Sequence, residues 1–125
     1  METKVILDTN ILINAFRRDM ESLDFLSRKE YRFILSDVTI MELLAGSRSV
    51  ERRKELERSI ETYGRAPINE RVINIAMSLI KRYAVRKRNI HIPDILIAAT
   101  AVHYKLPLKS FNKKDFEFIE EVELL

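Results

Sequence analysis

Short apolar runs alternate along this chain with longer segments whose apolar residues recur at helical spacing. The first run, at residues 5–7, is continuously apolar, which is typical of a parallel strand covered on both faces. Runs of this kind predict strands at 5–7, 31–35, 66–68, 106–108 and 122–125, with helical segments between them. This alternation favours the α/β fold class, with a three-layer α/β/α, Rossmann-like parallel sheet.

Residue preferences at helix ends locate the helical segments. Ser36 or Asp37 is suited to cap the helix that follows the second strand. Asn69 is a suitable cap for a later helix with a broad apolar face, and Pro93 suits the first turn of the last long helix. Between the helix that begins near Ser36 and the helix that begins near Asn69, charged pairs around a narrow apolar stripe predict a solvent-facing helix over 50–63.

The composition predicts a chain that folds on its own and has no cysteine chemistry. Its 125 residues suit a single domain over 1–125, and the 46% of hydrophobic residues argues against disorder. Cysteine is absent, which excludes disulfides, thiolate zinc sites and a cysteine nucleophile. No apolar run approaches the roughly 20 residues of a membrane span, so we expect a cytoplasmic protein with no membrane partner. The formal charge of +3 permits an anionic partner.

Three carboxylates interrupt segments that are otherwise apolar. Asp8 directly follows the first strand, where ligands bind in parallel α/β sheets, although a helix cap is an equally open interpretation. Glu42 lies three residues after Thr39 on a helix that we expect to be buried nearly all round. It therefore faces a polar cleft or a metal, unless the helix has an exposed seam. Asp94 is the one charge in segment 93–101, where an acid also suits the helix dipole.

Three carboxylates brought close together repel one another and need a compensating cation. Oxygen ligands in a chain without cysteine favour Mg²⁺ or Mn²⁺ over zinc. A site of this kind suits hydrolysis of a phosphodiester bond. The two histidines, His91 and His103, are interpreted as surface or helix-end residues, and only His91 is kept as a candidate for contact with phosphate.

Four blocks of the sequence resemble those of the PIN domain family of ribonucleases, and most of all its VapC-type toxins of type II toxin–antitoxin systems. They occur in the family's order over the whole chain, at 5–13 (VILDTNILI), 36–43 (SDVTIMEL), 92–101 (IPDILIAATA) and 106–116 (LPLKSFNKKDF). The resemblance implies a metal-dependent endoribonuclease in which Asp8, Glu42 and Asp94 are the catalytic acids and metal ligands. It further implies RNA as substrate, a cognate antitoxin protein as partner, and a homodimer.

The fourth block has Ser110 where the family commonly has Thr. The fourth metal-site position, Asp or Asn in the family, falls on Asn112, whose amide supplies an oxygen but no charge. Asp115 is the nearest carboxylate and a candidate to supplement it, although we favour its interpretation as a helix start. The resemblance also assigns orienting roles around the ion to Thr9, Asn10 and Ser110.

Cationic residues near the acids are candidates for holding an RNA backbone. The candidates are Arg86, Lys87 and Arg88, which precede Asp94, together with Lys113 and Lys114, which follow Asn112. The alternative for the first three is the favourable placement of cations at a helix C-terminus. No aromatic residues are interleaved among the cations, so the sequence predicts no base-stacking platform.

The leading hypothesis is therefore a Mg²⁺- or Mn²⁺-dependent endoribonuclease that acts as the toxin of a toxin–antitoxin pair. The alternative is a catalytically silent PIN-like module that binds RNA or a protein, which Asn112 in place of an acid permits. A metal-dependent phosphatase of small molecules is disfavoured, because the start Asp8-Thr9-Asn10 lacks the Asp-x-Asp pair that would accept a phosphoryl group.

Overall fold

The computed structural model describes residues 2–87 and 89–125, and its strands and helices alternate along the chain. In chain order they are β1 (Thr3–Leu7), α1 (Thr9–Phe16), α2 (Met20–Leu26), β2 (Tyr31–Ser36), α3 (Asp37–Ala45), α4 (Val50–Ile60), β3 (Gly64–Ala66), α5 (Glu70–Tyr83), α6 (Ile92–Tyr104) and β4 (Leu108–Lys109). A short 3-10 helix, Lys113–Asp115, follows β4. Within the described ranges, no helix is both long enough and apolar enough to cross a bilayer.

The four strands form one parallel sheet in the order β3-β2-β1-β4. β1 therefore lies inside the sheet and pairs with β2 on one side and β4 on the other. Asp8 comes directly after β1, Ser36 ends β2 and Ser110 comes directly after β4. Because the strands are parallel, these polar residues meet at one edge of the sheet, which is where ligands bind in open α/β folds.

Helices cover both faces of the sheet, which confirms the predicted three-layer architecture. Val5 and Leu7 point into a core that they share with α1, α2 and the second half of α3. Ile6 points to the opposite side, into a core built with α5 and α6. This alternation explains why residues 5–7 are all apolar: a strand covered on both faces has no solvent side.

Two of the predicted helix caps are present. Ser36 Oγ accepts from the backbone N–H of Thr39 at 3.2 Å and caps α3, and Asn69 Oδ1 accepts from Val72 N–H at 2.9 Å and caps α5. Asp37, the other candidate for the first cap, instead accepts from the Arg65 guanidinium and from the Ile68 backbone N–H. The Arg65 guanidinium lowers the pKa of the Asp37 carboxyl, and the pair ties α3 to the end of β3.

Several predicted boundaries were wrong. The third strand is at Gly64–Ala66, not 66–68, and the fourth is at Leu108–Lys109, not 106–108, in part because Pro67 and Pro107 have no N–H to donate to a ladder. The predicted strand at 122–125 is reduced to a single parallel bridge between Leu108 and Leu124. The helix predicted over 50–63 ends at Ile60.

Gly64 lets β3 approach β2 closely. It pairs with Ile34, and a Cβ at Gly64 would overlap the Cδ1 methyl of Ile34. Any larger residue at position 64 therefore requires the Ile34 side chain to move. Its φ is not in the left-handed region.

We predict that Gly64→Ala lowers the free energy of unfolding by about 1 kcal/mol because the new methyl displaces the Ile34 side chain. In an Ile34→Val background, which lacks the Cδ1 atom, the same substitution should cost clearly less. Urea unfolding of the four proteins of this double-mutant cycle measures the coupling. Equal costs in both backgrounds would show that Ile34 is not the obstacle.

Candidate active site

Asp8 is a buried carboxylate at the carboxyl end of the central strand. Its side chain is only 4% exposed, and it accepts from Ser110 Oγ at 2.8 Å and from the Thr9 backbone N–H. Burial raises the pKa of Asp8, the Ser110 hydroxyl opposes that shift, and the charges of Asp115 and Glu42 add to it. Asp8 precedes α1 but makes no side-chain cap bond to that helix. Asp8 therefore occupies the N-cap position of α1, but its carboxylate is not used as a side-chain cap.

Glu42 lies on an exposed seam of α3, which corrects the expectation that this helix is buried nearly all round. Met41, Glu42 and Ala45 are exposed, while Val38, Thr39 and Leu43 are buried. Glu42 is nevertheless fixed, because Thr9 Oγ1 donates to its Oε1 at 2.8 Å. The carboxylate thus faces solvent while one of its oxygens is held by the residue next to Asp8.

A chain of three hydroxyls leads to Glu42. Thr9 Oγ1 is also 2.8 Å from Thr39 Oγ1, and Ser36 Oγ donates to Thr39 Oγ1 at 3.3 Å. A hydroxyl has one proton and a carboxylate only accepts, so Thr9 donates to Glu42, and Thr39 must donate to Thr9. All three donors therefore point toward Glu42. The sequence signal for this chain is the spacing Ser36, Thr39, Glu42, which places all three on one face of the helix.

Asp94 is half-buried in the first turn of α6. Burial and the charges of Asp115 and Asp8 raise the pKa of Asp94 to about 6, against a smaller opposing effect of His91. His91 is exposed at the N-terminus of α6. His103 lies 3.3 Å from the Asn69 amide and packs edge-on against Tyr104, so it remains a structural residue.

Asp115 is closer to the site than the sequence indicated. Among the carboxylates, its charge has the largest effect on both Asp8 and Asp94, larger than that of Glu42. Its position is fixed by Asn112, whose side-chain amide donates to Asp115 Oδ2 at 2.7 Å and whose backbone N–H donates to Ser110 Oγ at 2.9 Å. Asn112 therefore positions the fourth acid. The interpretation of Asp115 as only a helix start understated its role.

Asp8, Glu42, Asp94 and Asp115 form a negative cluster that fits a hard divalent cation in its donor chemistry. All the donors are oxygens, and within residues 2–87 and 89–125 none of the four acids pairs with a lysine or arginine. Burial, and to a smaller extent their mutual repulsion, raises the pKa of Asp8 and of Asp94, and a cation would offset the repulsion. As the side chains stand, no three acidic or histidine groups in the described residues are close enough to hold one ion.

Of the three residues expected to orient the acids, Ser110 and Thr9 bind an acid and Asn10 does not. Ser110 and the backbone of Thr9 bind Asp8, and the Thr9 hydroxyl binds Glu42. Asn10 is exposed on α1 and is not a donor to Asp8.

The predicted cationic residues are partly occupied by contacts within the chain. Lys87 Nζ lies 5.1 Å from the centre of the Phe118 ring, and Arg86 is exposed after α5. Arg88 lies outside the described residues. Lys113 and Lys114 are exposed on the 3-10 helix beside Asn112.

Sequence reasoning missed three arginines that share a groove with Glu42. This groove of about 1030 Å³ lies between α1, α3 and α4, and its lining includes Glu42, Arg17, Arg18 and Arg52. The signal was present in the Arg17-Arg18 pair after α1, but the approach of α4 that brings in Arg52 depends on tertiary packing. The lining also includes Glu51 and Glu55, so the groove holds both arginines and acids next to Glu42.

One family model and several known sequences match most of this chain. A family model described as the PIN domain matches residues 5–121. Ribonuclease VapC10 of Mycobacterium tuberculosis is 31% identical over 121 residues, which cover 95% of this chain and 90% of that protein. Ribonuclease VapC1 of Methanocaldococcus jannaschii is 28% identical over 123 residues, which cover 98% of this chain and 86% of that protein.

Comparison with solved structures supports the fold. A chain of a toxin–antitoxin complex from Klebsiella pneumoniae is 27% identical, with 94% of each chain covered and a TM-score of 0.80. A chain of VapBC2 from Rickettsia felis, solved bound to a DNA fragment of its promoter, is 21% identical, with 98% of each chain covered and a TM-score of 0.85. The second likeness concerns the fold alone.

We predict that Thr9→Val lowers the free energy of unfolding by about 1–3 kcal/mol, because the buried Thr39 hydroxyl loses its acceptor and Glu42 loses a donor. Thr9→Ser keeps the hydroxyl and should cost much less. Urea unfolding at pH 7 compares the two variants with the wild type. A loss of stability in Thr9→Ser as large as that in Thr9→Val would show that the methyl group, not the hydroxyl chain, matters.

The raised pKa of Asp94 predicts a pH-dependent effect in protein freed of metal by chelation. Between the unfolded value of about 3.9 and the folded value of about 6, the folded state binds more protons, so its stability falls as the pH rises through this range. Asp94→Asn should therefore be more stable than the wild type at pH 7, by about 1–2 kcal/mol after allowance for solvent screening, and equally stable near pH 4.

Thermal and urea unfolding across pH 4–7 measures this difference. Glu30→Gln is the matched control, since Glu30 is exposed before β2, forms no ion pair in the described residues and contributes to the pKa of neither Asp8 nor Asp94. An Asp94→Asn protein that is less stable than the wild type at pH 7 would contradict the prediction.

Proposed function

The chain belongs to the PIN domain family, and from this we propose that it is a metal-dependent endoribonuclease that acts as the toxin of a toxin–antitoxin pair. The observation that carries the proposal is the cluster of Asp8, Glu42, Asp94 and Asp115 at the carboxyl edge of the sheet. The hydrolase assignment follows from two relatives that are named ribonucleases. The match covers 90% of the length of one and 86% of the length of the other.

The charges around the site support a nucleic-acid substrate. A polyanion must reach a cluster of negative charge, which requires cations along its path. Arg17, Arg18 and Arg52 lie in the groove with Glu42, and Lys113 lies one residue from Asn112. We propose that these cations contact phosphates of the RNA near the acids.

Asp8, Glu42, Asp94 and Asp115 are the residues that would hold Mg²⁺ or Mn²⁺. When bound, the cation supplies the positive charge that activates a water molecule and offsets negative charge developing on the phosphate. The protein holds two of the acids in place: Ser110 and the Thr9 backbone fix Asp8, and the Thr9 hydroxyl fixes Glu42. Asp94, with its pKa of about 6, is the acid that first gains a proton when the pH falls below neutrality.

The partners follow from the relatives. Similar chains occur in solved toxin–antitoxin complexes, which supports a cognate antitoxin for this chain. We also propose a homodimer, a single domain over 1–125, and action in the cytoplasm, where an RNA substrate is present.

The hydrolase is favoured over the silent binding module because Asp115 supplies the missing charge. The silent alternative depended on Asn112, not an acid, standing at the fourth metal-site position. The Asn112 amide instead donates to Asp115, so a fourth carboxylate is present three residues later.

We predict that the protein fragments a structured RNA in the presence of Mn²⁺ and that excess chelator abolishes this activity. Asp8→Asn and Asp94→Asn should each reduce the initial rate on the order of 100-fold or more, because each removes charge that a cation needs. Glu30→Gln serves as the control and should cleave at the wild-type rate, because Glu30 is exposed and forms no ion pair in the described residues. Gel analysis of end-labelled RNA gives the rates, and cleavage that persists in chelator would refute the mechanism.

Thermal melting distinguishes a metal-dependent enzyme from a catalytically silent binding module. A ligand that binds only the folded state raises the melting temperature, so Mn²⁺ should raise that of the wild type but not that of Asp94→Asn. The rise should shrink as the pH falls below about 6, because protons then compete with the ion for Asp94. If Mn²⁺ has no effect on the wild type at pH 7, the silent binding module becomes the better interpretation.

A further inference from the structure

A cluster of aromatic and cationic residues lies beside the acids, on the α2 side of β4. We call it the Phe111 patch, and it consists of Phe25, Phe111, Lys109, Arg28 and Lys113. Lys109 Nζ lies 5.1 Å from the centre of the Phe25 ring and 5.2 Å from the centre of the Phe111 ring. The two rings meet edge-on, with their centres 6.2 Å apart. An ammonium held near two ring faces is a preorganised cation.

The position of Phe111 is fixed by its neighbours in the chain. Ser110 donates to the Asp8 carboxylate, and Asn112 donates to the Asp115 carboxylate. Phe111 thus lies between two residues that each hydrogen-bond to an acid of the site. Its side chain is 37% exposed, although it belongs to an aromatic cluster that is otherwise buried or half-buried. A large exposed ring on a rigid segment next to a catalytic centre is a surface on which a base can stack.

The cations of the patch are only partly balanced by acidic side chains. In the part of the chain that the structure describes, neither Lys109 nor Lys113 forms an ion pair, and Arg28 only approaches Asp24 at 3.9 Å. Arg28 also lies 5.9 Å from the centre of the Phe25 ring. Lys113 and Arg28 are near enough to Lys109 to repel it, and among the described residues Glu21 is the one acid near enough to attract it. Three cations close together favour an anion such as the phosphate of a nucleotide.

We propose that the Phe111 patch is a nucleotide subsite for single-stranded RNA, in which a base stacks on Phe111 and the adjoining phosphate binds Lys109. The subsite rests on the proposed ribonuclease function, because it places a nucleotide next to the acids. The sequence predicted no base-stacking platform, since Phe25 and Phe111 are far apart in the chain and only the fold brings them together. The combination of an exposed ring with cations favours a nucleotide over an acidic peptide, which would need only the cations.

The first test uses the absence of tryptophan from the chain. Phe111→Trp introduces a single tryptophan at the patch, and a stacked base should quench its fluorescence. The titration uses a short single-stranded oligoribonucleotide of mixed sequence, in the Asp94→Asn background with chelator, so that binding does not depend on cleavage. Ile73→Trp in the same background is the control, because Ile73 is 39% exposed but lies on α5, on the other face of the sheet.

The second test measures the affinity of variants for a labelled copy of the same RNA by fluorescence anisotropy. Phe111→Leu keeps an apolar side chain but loses the ring face, and should weaken binding about tenfold. Lys109→Met should weaken binding and should reduce the slope of log affinity against log salt concentration by about one. Lys109→Arg keeps the charge and should leave both the affinity and the slope close to those of the parent protein. Lys4→Met, at the exposed opposite end of β1, is the matched control. Thermal melting confirms that each variant is folded.

The outcomes separate the subsite from the function. Saturable quenching in Phe111→Trp alone, together with weaker binding by Phe111→Leu and Lys109→Met, supports the subsite. If the wild type cleaves RNA but these variants bind as the controls do, the subsite is wrong and the ribonuclease stands. If the wild type neither binds nor cleaves RNA, the proposed function itself fails. A fluorescence response to a co-expressed partner protein and not to RNA would overturn the subsite in favour of a protein-binding surface.

Discussion

The buried carboxylate of Asp8 is the interaction on which the arrangement of the other acids depends. A carboxylate inside a protein is costly unless donors surround it, and here they come from two separate elements, the start of α1 and the segment after β4. Each donor residue also forms a second hydrogen bond, to a residue nearer the surface. Thr9 reaches Glu42 through its hydroxyl, and Ser110 accepts from the backbone of Asn112, which binds Asp115. One buried charge therefore organises the positions of two others.

The three acids that sequence alone could identify share a recognisable pattern. Asp8, Glu42 and Asp94 are single charges in otherwise apolar segments, so they contradict their local surroundings. Asp115 gives no such signal, because its neighbours are polar and its role depends on the hydrogen bond from Asn112. The Phe111 patch was hidden for a related reason: it joins α2 to β4, which are about eighty residues apart and meet only through the sheet.

The fold class was predictable because strand and helix periodicities are local properties, whereas several boundaries depended on tertiary pairing. The segment 122–125 has the apolar character of a strand but forms only one bridge. The basic last turn of α5 shows a similar effect. Arg82 binds Glu120 and Glu121, and the Tyr83 hydroxyl donates to Glu121, so part of that positive charge serves to hold the C-terminal segment.

The single bridge at Leu108 has a further consequence for how this protein meets others. β4 is an edge strand of two residues, and the backbone of Leu108 already bonds Glu123 and Leu125, so the C-terminal segment occupies that edge. The opposite edge, β3, is only three residues long. Free strand edges are the usual template for aggregation and for recognition by strand addition, and this sheet offers almost none. Strand addition by a partner or by a second copy is therefore limited to the three residues of β3, and the helices and side chains offer the larger surface for recognition.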